Sequence, residues 1–420
     1  MRKLAAVALV AAALAPAPAL ATLGYFSHGY GLKAKGMGGV GIALPQEALS
    51  AVSNPANLGF VGNRLDLELE WFRPIRDAEI TGNGLPAPFN LNGSFSGSGR
   101  KDFFIPGFGY SRVLRPDLSV GLLLYGNGGM NTTFDRNPFA PVGGSAPGGV
   151  DYVQIFVAPT IAWKPNENHS IGLSLNFVYH QFGAYGLEPF AGFSQTPAKV
   201  TNLGRDDATG WGFRIGWTGR ITPTVTLGAM YQPKTSMGKL SEYQGLFRNQ
   251  GELDIPATYG IGFAWKATPR LLIAGDVQRI DYAKVPSIGT TPDCLFAGLC
   301  QLGASDGPGF GWRNMTGYKL GVSYEASPSL TLRAGFATGK QPIPNQYTLL
   351  NTIFPAVMQD HLTIGATWTF GTTELTAGYM HAFRKKVNGS GSIPGVPFGG
   401  GEANLQMYQD ALGVAFGWKM

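Results

Sequence analysis

The chain has 420 residues, a formal net charge of +6, 14% charged and 12% aromatic residues, 61 glycines and a mean hydropathy of +0.02. A soluble globular protein would carry closer to a quarter charged residues and about half as much glycine, and so slight a charge leaves no footprint for a nucleic-acid partner. The composition favours one large structure of alternating strands, in which an apolar face and a polar face average to neutral hydropathy.

In chain order, Met1 to Ala21 reads as a secretory signal peptide. Arg2 and Lys3 form a basic start, Leu4 to Leu14 an apolar centre, and Ala19-Leu20-Ala21 an A-x-A cleavage site. Pro16 and Pro18 interrupt the apolar run, so it is too short for a membrane anchor. Export is therefore expected, with the mature chain starting at Thr22 and its formal charge falling from +6 to +4 as Arg2 and Lys3 leave. Residues 22–63 form the next unit, and 64–420 the last.

Within 22–63, Gly36, Gly38 and Gly41 match G-x-G-x-x-G, but no buried strand precedes them and no βαβ unit surrounds them, so a dinucleotide site is not expected. The segment is too apolar for a free linker and ends in Asn54-Pro55-Ala56, a turn signal. It is expected to fold into the interior of the larger unit.

From Leu65 onward, runs of period-two alternation are separated by breakers. Tyr318, Leu320, Val322 and Tyr324 alternate with Lys319, Gly321, Ser323 and Glu325; Trp211, Phe213, Ile215 and Trp217 alternate with Gly212, Arg214, Gly216 and Thr218. The breakers alternate in length. Arg115-Pro116-Asp117, Lys164 to Asn168, Thr222-Pro223-Thr224, Thr268-Pro269-Arg270, Ser327-Pro328-Ser329 and Gly371-Thr372-Thr373 are tight. Thr81 to Lys101, Asp135 to Gly149, Ala184 to Thr209, Pro233 to Pro256, Val285 to Trp312, Gln341 to Met358 and Asn388 to Glu402 are long. Those thirteen connections join fourteen strands, and short turns on one side with long loops on the other predict an all-β, 14-stranded antiparallel outer-membrane barrel. Tyr179, Trp211, Tyr259, Trp265, Trp368, Phe370 and Trp418 stand where interfacial girdles belong.

Three features interrupt the regular pattern. In the third strand, Gly126, Gly128 and Gly129 lie within six residues and predict a bulge or kink. The third long loop carries Phe190 and Phe193, and the sixth carries Leu349, Leu350, Ile353 and Phe354, apolar groups in segments that should face water. Cys294 and Cys300, the only cysteines, are expected to close a small disulfide in an exported protein. No further cysteine or histidine stands near them to make a metal site. The five histidines are scattered and no G-x-S-x-G occurs, so no enzyme is expected.

The run PQEALSAVSNPANLGFVGNRLDL, with Asn54-Pro55-Ala56 leading into the first strand, resembles the hatch of the outer-membrane long-chain fatty-acid and hydrophobic-compound transporters, the FadL family. The resemblance covers nearly the whole chain, and the last strand, ending in Trp418, is similar to the signal read by the barrel-insertion machinery. Lys419 and Met420 depart from it, since an aromatic last residue is usual. The resemblance implies a monomeric channel of the Gram-negative outer membrane, set among outer-membrane lipid and lipopolysaccharide, passing hydrophobic small molecules without a cofactor. It further implies a hatch held at Asn54, Pro55 and Ala56, a lateral gate at Gly126, Gly128 and Gly129, and capture of ligand by Phe190, Phe193, Leu349, Leu350, Ile353 and Phe354. A general diffusion porin is the competing reading. It would want a charged, water-filled constriction and no hatch.

Overall fold

A computed structural model describes residues 23–420; the signal peptide assigned to 1–21 lies outside the described residues. The strands are β1 (Arg64–Thr81), β2 (Gly93–Ser96), β3 (Phe103–Arg115), β4 (Leu118–Phe134), β5 (Gly148–Asn166), β6 (His169–Tyr185), β7 (Asp206–Arg220), β8 (Val225–Gln232), β9 (Thr258–Lys266), β10 (Leu271–Ile280), β11 (Met315–Ser327), β12 (Leu330–Gly339), β13 (His361–Phe370), β14 (Thr373–Val387) and β15 (Glu402–Lys419). All except β2 form one antiparallel meander, which closes where β15 pairs with β1 from Arg64↔Lys419 to Thr81↔Glu402. Among the described residues this gives a closed 14-strand barrel. Closure is what hydrocarbon demands, since an open edge would leave backbone groups unpaired.

The six tight turns fall where Pro, Gly and Thr break the alternation. Some long connections differ from the sequence reading, the fifth running over 281–314 rather than Val285 to Trp312. The first contains β2, a four-residue ribbon that continues the sheet beside β1 at Asp77↔Ser96 to Ile80↔Gly93. The third ends at 205 rather than Thr209, because β7 begins at Asp206 and pairs with Phe182 there.

Parity sorts the side chains. Leu320 is 53% exposed and Trp211 74%, whereas Lys319 and Arg214 between such residues are buried. The outward apolar set is thus the lipid-facing surface and the inward set is small or polar. No helix among the described residues is long and apolar enough to cross a membrane; the strands do so. At the end of β15, Lys419 bonds Glu374 (Nζ to Oε1, 2.7 Å), so the residue that departs from the usual terminal aromatic takes part in an ion pair.

The inward face is occupied. Residues 23–61 are almost all buried, in short helical pieces at Leu32–Lys35, Ser50–Ser53 and Leu58–Val61 and a 3₁₀ turn at Pro55–Asn57. They touch nearly every barrel strand in turn. A Cβ at Gly109 of β3 would meet Ala48, at Gly216 of β7 Asn54, at Gly228 of β8 Ile42, at Gly321 of β11 Met37, and at Gly413 of β15 Leu32. The glycine excess of the sequence has a steric cause here: the wall must come close to a folded segment inside it.

Candidate functional site in the lumen and wall

The inner segment is seated at three places. At the first, Asn54 caps the 3₁₀ turn by accepting from the amide of Ala56 (3.1 Å), with Pro55 at the first helical position, where its missing N–H is harmless. The same side chain donates through Nδ2 to the carbonyls of Ile42 (2.8 Å) and Trp217 (2.9 Å) and to Thr218 Oγ1 (3.0 Å), tying the turn to β7. Gly172 and Gly216 permit the approach, since a Cβ at either would come within 2.3 Å or 1.8 Å of the triplet.

The second seat is ionic. Lys33 reaches Glu374 (2.5 Å), which Arg64 also reaches (2.9 Å) while bonding Asp66 (2.6 Å). Lys35 reaches Glu70 (3.0 Å). Burial opposes the charge on Lys35, but Glu70 and Glu68 outweigh it and raise its pKa above the ordinary lysine value. At the third seat, Asp276 of β10 accepts from the amides of Gly41 (2.7 Å) and Ile42 (3.0 Å). The inward-facing cations of the wall strands β7, β11 and β12 take neutral partners: Arg214 donates to Gln232 (2.7 Å), Lys319 to Gln278 (3.0 Å) and Arg333 to Thr367 (2.7 Å).

Replacing Asn54 with Ala removes the four side-chain bonds of the first seat and strands buried carbonyls, weakening that seat by about 2–3 kcal/mol. Amide exchange at Ala56 is then expected to speed up roughly a hundredfold. Unchanged exchange would show that the triplet does not hold the turn.

The wall is not laddered throughout. β3 and β4 pair only from Arg115↔Leu118 to Phe108↔Leu124. Beyond that rung β3 stays with β1 as far as Phe72↔Phe103, and β4 stays with β5, with a register shift between Gly126 and Gly128 that leaves Asn127 unopposed. Phe103–Gly107 and Tyr125–Met130 therefore face each other without a ladder. Pro106, two positions past the last rung, has no N–H to continue it. The break ends above at a parallel bridge, Ser98↔Thr133, with Thr133 donating to Gly97 (2.9 Å) and Gly99 to Thr133 (2.9 Å). Burial no longer alternates along 127–132, where every residue is buried, so this half of β4 has left the lipid-facing surface.

Of the three glycines, Gly126 and Gly128 bracket the bulge, and Gly128 and Gly129 meet the inner segment. Phe26 bridges Gly128, the amide of Gly129 donates to Tyr25 (2.9 Å), and the amide of Ser27 donates to Asn127 (3.0 Å). A Cβ at Gly128 would lie 1.9 Å from the Tyr25 carbonyl. What passes close to Gly128 in this structure is the chain's own N-terminal segment.

The long loops enclose a tight apolar pocket of about 50 Å³, lined by Phe139, Leu187, Phe190, Leu246, Phe247, Leu302, Phe310, Leu350 and Ile353 among others. Of the expected capture residues, Phe190, Leu350 and Ile353 line it. Leu349 is buried in the core beside it, and Phe354 stacks on Phe310 (centroids 5.3 Å apart). Phe193 stands elsewhere, packed on Phe398 (5.8 Å). Phe354 also meets Trp312 (5.5 Å) and Tyr25 (6.1 Å), and Tyr25 meets Tyr282 (5.1 Å) and Tyr152 (5.7 Å). An apolar column thus runs from the loop pocket, through Phe354 and Tyr25, to the break in the wall. Cys294 and Cys300 are bonded, with Cα atoms 5.3 Å apart in the fifth long loop.

The sequence reading missed Pro106, Tyr25 and Phe26. A proline inside an alternating strand was the available signal for the first, while nothing local marks the other two.

No curated protein matches the chain in sequence. Solved structures of the same fold include a Pseudomonas aeruginosa FadL homologue (17% identity, 94% of this chain and 99% of that one, TM-score 0.72). The Pseudomonas putida toluene transporter TodX (20%, 95% and 100%, 0.67) and the Ralstonia pickettii toluene transporter TbuX (17%, 94% and 99%, 0.61) share it too. Residues 9–417 match the family described as outer membrane protein transport protein (OMPP1/FadL/TodX). With its closed barrel and that match over nearly its whole length, the chain belongs to the OMPP1/FadL/TodX family of outer-membrane transport proteins.

Proposed function

We propose that the protein is a monomeric channel for passive uptake of hydrophobic small molecules, long-chain fatty acids or aromatic and aliphatic hydrocarbons. Ligand enters at the loop pocket, passes the N-terminal segment as that segment shifts, and leaves sideways through the break between β3 and β4. The observation that carries this reading is the continuity of the apolar column with the unladdered wall. A greasy solute lowers its free energy at each step by leaving water for an apolar surface, so a gradient alone drives the flow. The toluene transporters TodX and TbuX, which share the fold, lend weight to the cargo class. The name hatch fits residues 23–63 in this scheme, with Asn54, Pro55 and Ala56 as its fixed point and Gly128 and Gly129 as the place where its mobile end meets the gate.

A general diffusion porin would have to pass water through the lumen that residues 23–61 fill. Two measurements on the intact protein separate the readings. Vesicles carrying it are expected not to swell in small sugars, while cells expressing it take up a hydrophobic tracer faster than cells without it. Rapid sugar entry together with unchanged tracer uptake would favour the porin.

A further inference from the structure

The outward face of three neighbouring strands changes character at one height. On β11 it runs from Leu320 and Tyr318, both exposed, to Thr316; on β12 from Phe336 through Thr338 to Lys340; and on β10 from Val277 to Arg279. The rungs Tyr318↔Thr338 and Arg279↔Thr316 set these switches side by side. An aromatic ring that ends an apolar face marks the membrane interface, so what lies above Tyr318 stands among the headgroups of the outer leaflet.

A cavity of about 310 Å³ opens at that level. Thr316 and Tyr318 line its membrane side, together with Arg313 from the end of the fifth long loop and Lys340 from the start of the sixth. Both cations are exposed, and neither pairs with an acid or bonds a side chain among the described residues. No carboxylate lines the cavity. The acids nearby in the chain are engaged elsewhere: Asp281 pairs with Arg279 (3.4 Å) and Lys284 (2.7 Å), and Asp360 accepts from Thr338 (2.6 Å). Two like charges that face one cavity repel each other until an anion joins them.

The frame of the cavity is set without a ligand. The amide of Arg313 donates to the carbonyl of Pro342 (2.8 Å), and Gln341 both donates to the carbonyl of Ile343 (2.8 Å) and accepts from its amide (2.5 Å). Asn314 accepts from the amide of Ala283 (2.9 Å) through Oδ1, which leaves its Nδ2 as a neutral donor.

We propose that this cavity binds a phosphate of the saccharolipid of the outer leaflet. The guanidinium of Arg313 offers a planar fork and Lys340 a point charge, and together they match a phosphate dianion, where one cation would be enough for a carboxylate. The acyl chains of such a lipid continue down the apolar face past Tyr318 and Leu320. A phosphate held there ties the end of the fifth loop to the start of the sixth, whose Leu350 and Ile353 line the loop pocket.

The test is native mass spectrometry of the full-length mature protein in detergent, titrated with lipid A carrying both phosphates and with the same lipid dephosphorylated. The wild type is expected to retain the phosphorylated form about tenfold more tightly, and Arg313→Gln with Lys340→Gln to bring the two forms within about twofold. Lys386→Gln, which removes an outward cation of β14 paired with Glu79 (3.2 Å), is expected to leave the preference intact. A preference that survives in the double variant would overturn the proposal. So would an equal loss in Lys386→Gln, which would make the attraction a diffuse property of the rim. Inorganic phosphate that displaces the lipid as readily as lipid A does, at matched ionic strength, would make this a site for free phosphate and overturn the lipid assignment.

Discussion

Deleting residues 23–59 is expected to leave an inserted barrel whose ion conductance in planar bilayers is larger by roughly tenfold or more. The strands close on one another without the inner segment, from Arg64↔Lys419 round to β14 and β15, so the deletion removes a filling and not a stave. What remains is a 14-strand ring lined by glycines, and barrels of this size enclose a lumen wider than their own side chains can fill. The deletion also strips Lys33 and Lys35 from Glu374 and Glu70, leaving Asp66, Glu68, Glu70 and Glu374 against Arg64, Arg333 and Lys419 at that end. The open pore should therefore prefer cations, by the focusing of field lines in a narrow low-dielectric channel. Conductance at the wild-type level, in protein that still migrates differently on gels when boiled, would mean that residues 23–61 do not block the lumen.

Much of this was legible in the chain because the barrel code is local. Period-two alternation, six tight turns and seven long loops yield fourteen strands without any tertiary knowledge, since each strand needs only its own parity to know which face meets lipid. Gly126, Gly128 and Gly129 likewise announce an irregularity by themselves, and β4 bulges between Gly126 and Gly128. What the chain does not reveal is partnership across long separations. Asn54 is a turn residue by its neighbours, but its bond to Thr218 spans 164 positions. The glycines that receive the inner segment look like ordinary inward positions until that segment is placed against them.

The loops mark a second limit. Phe190 and Phe193 are three residues apart, and burial preference treats them alike. The 3₁₀ turn at Glu188–Phe193 sends the first toward Phe139 (5.1 Å) and the pocket and the second toward Phe398. Arg76 shows the same limit on a strand: parity puts it inward, but does not reveal that its guanidinium donates to the carbonyls of Asn131 and Arg100.

The most direct test of the lateral route is to close it. Pro106 and Gly126 occupy the outer side of β3 and β4 two positions beyond the last paired rung, Phe108↔Leu124, so Pro106→Cys with Gly126→Cys places two thiols across the break. Neither position is among the residues that seat residues 23–63 in the lumen, and the native cysteines are already bonded to each other. Joining the two thiols with a short reducible bis-thiosulfonate should leave the barrel inserted and the inner segment in place while sealing the wall. Uptake of a hydrophobic tracer by intact cells is then expected to fall about tenfold or more, since the only other path is the filled lumen, and to recover on reduction. Wild-type cells given the same reagent and reductant should show no change. Tracer uptake that continues undiminished through the cross-linked wall would contradict the account.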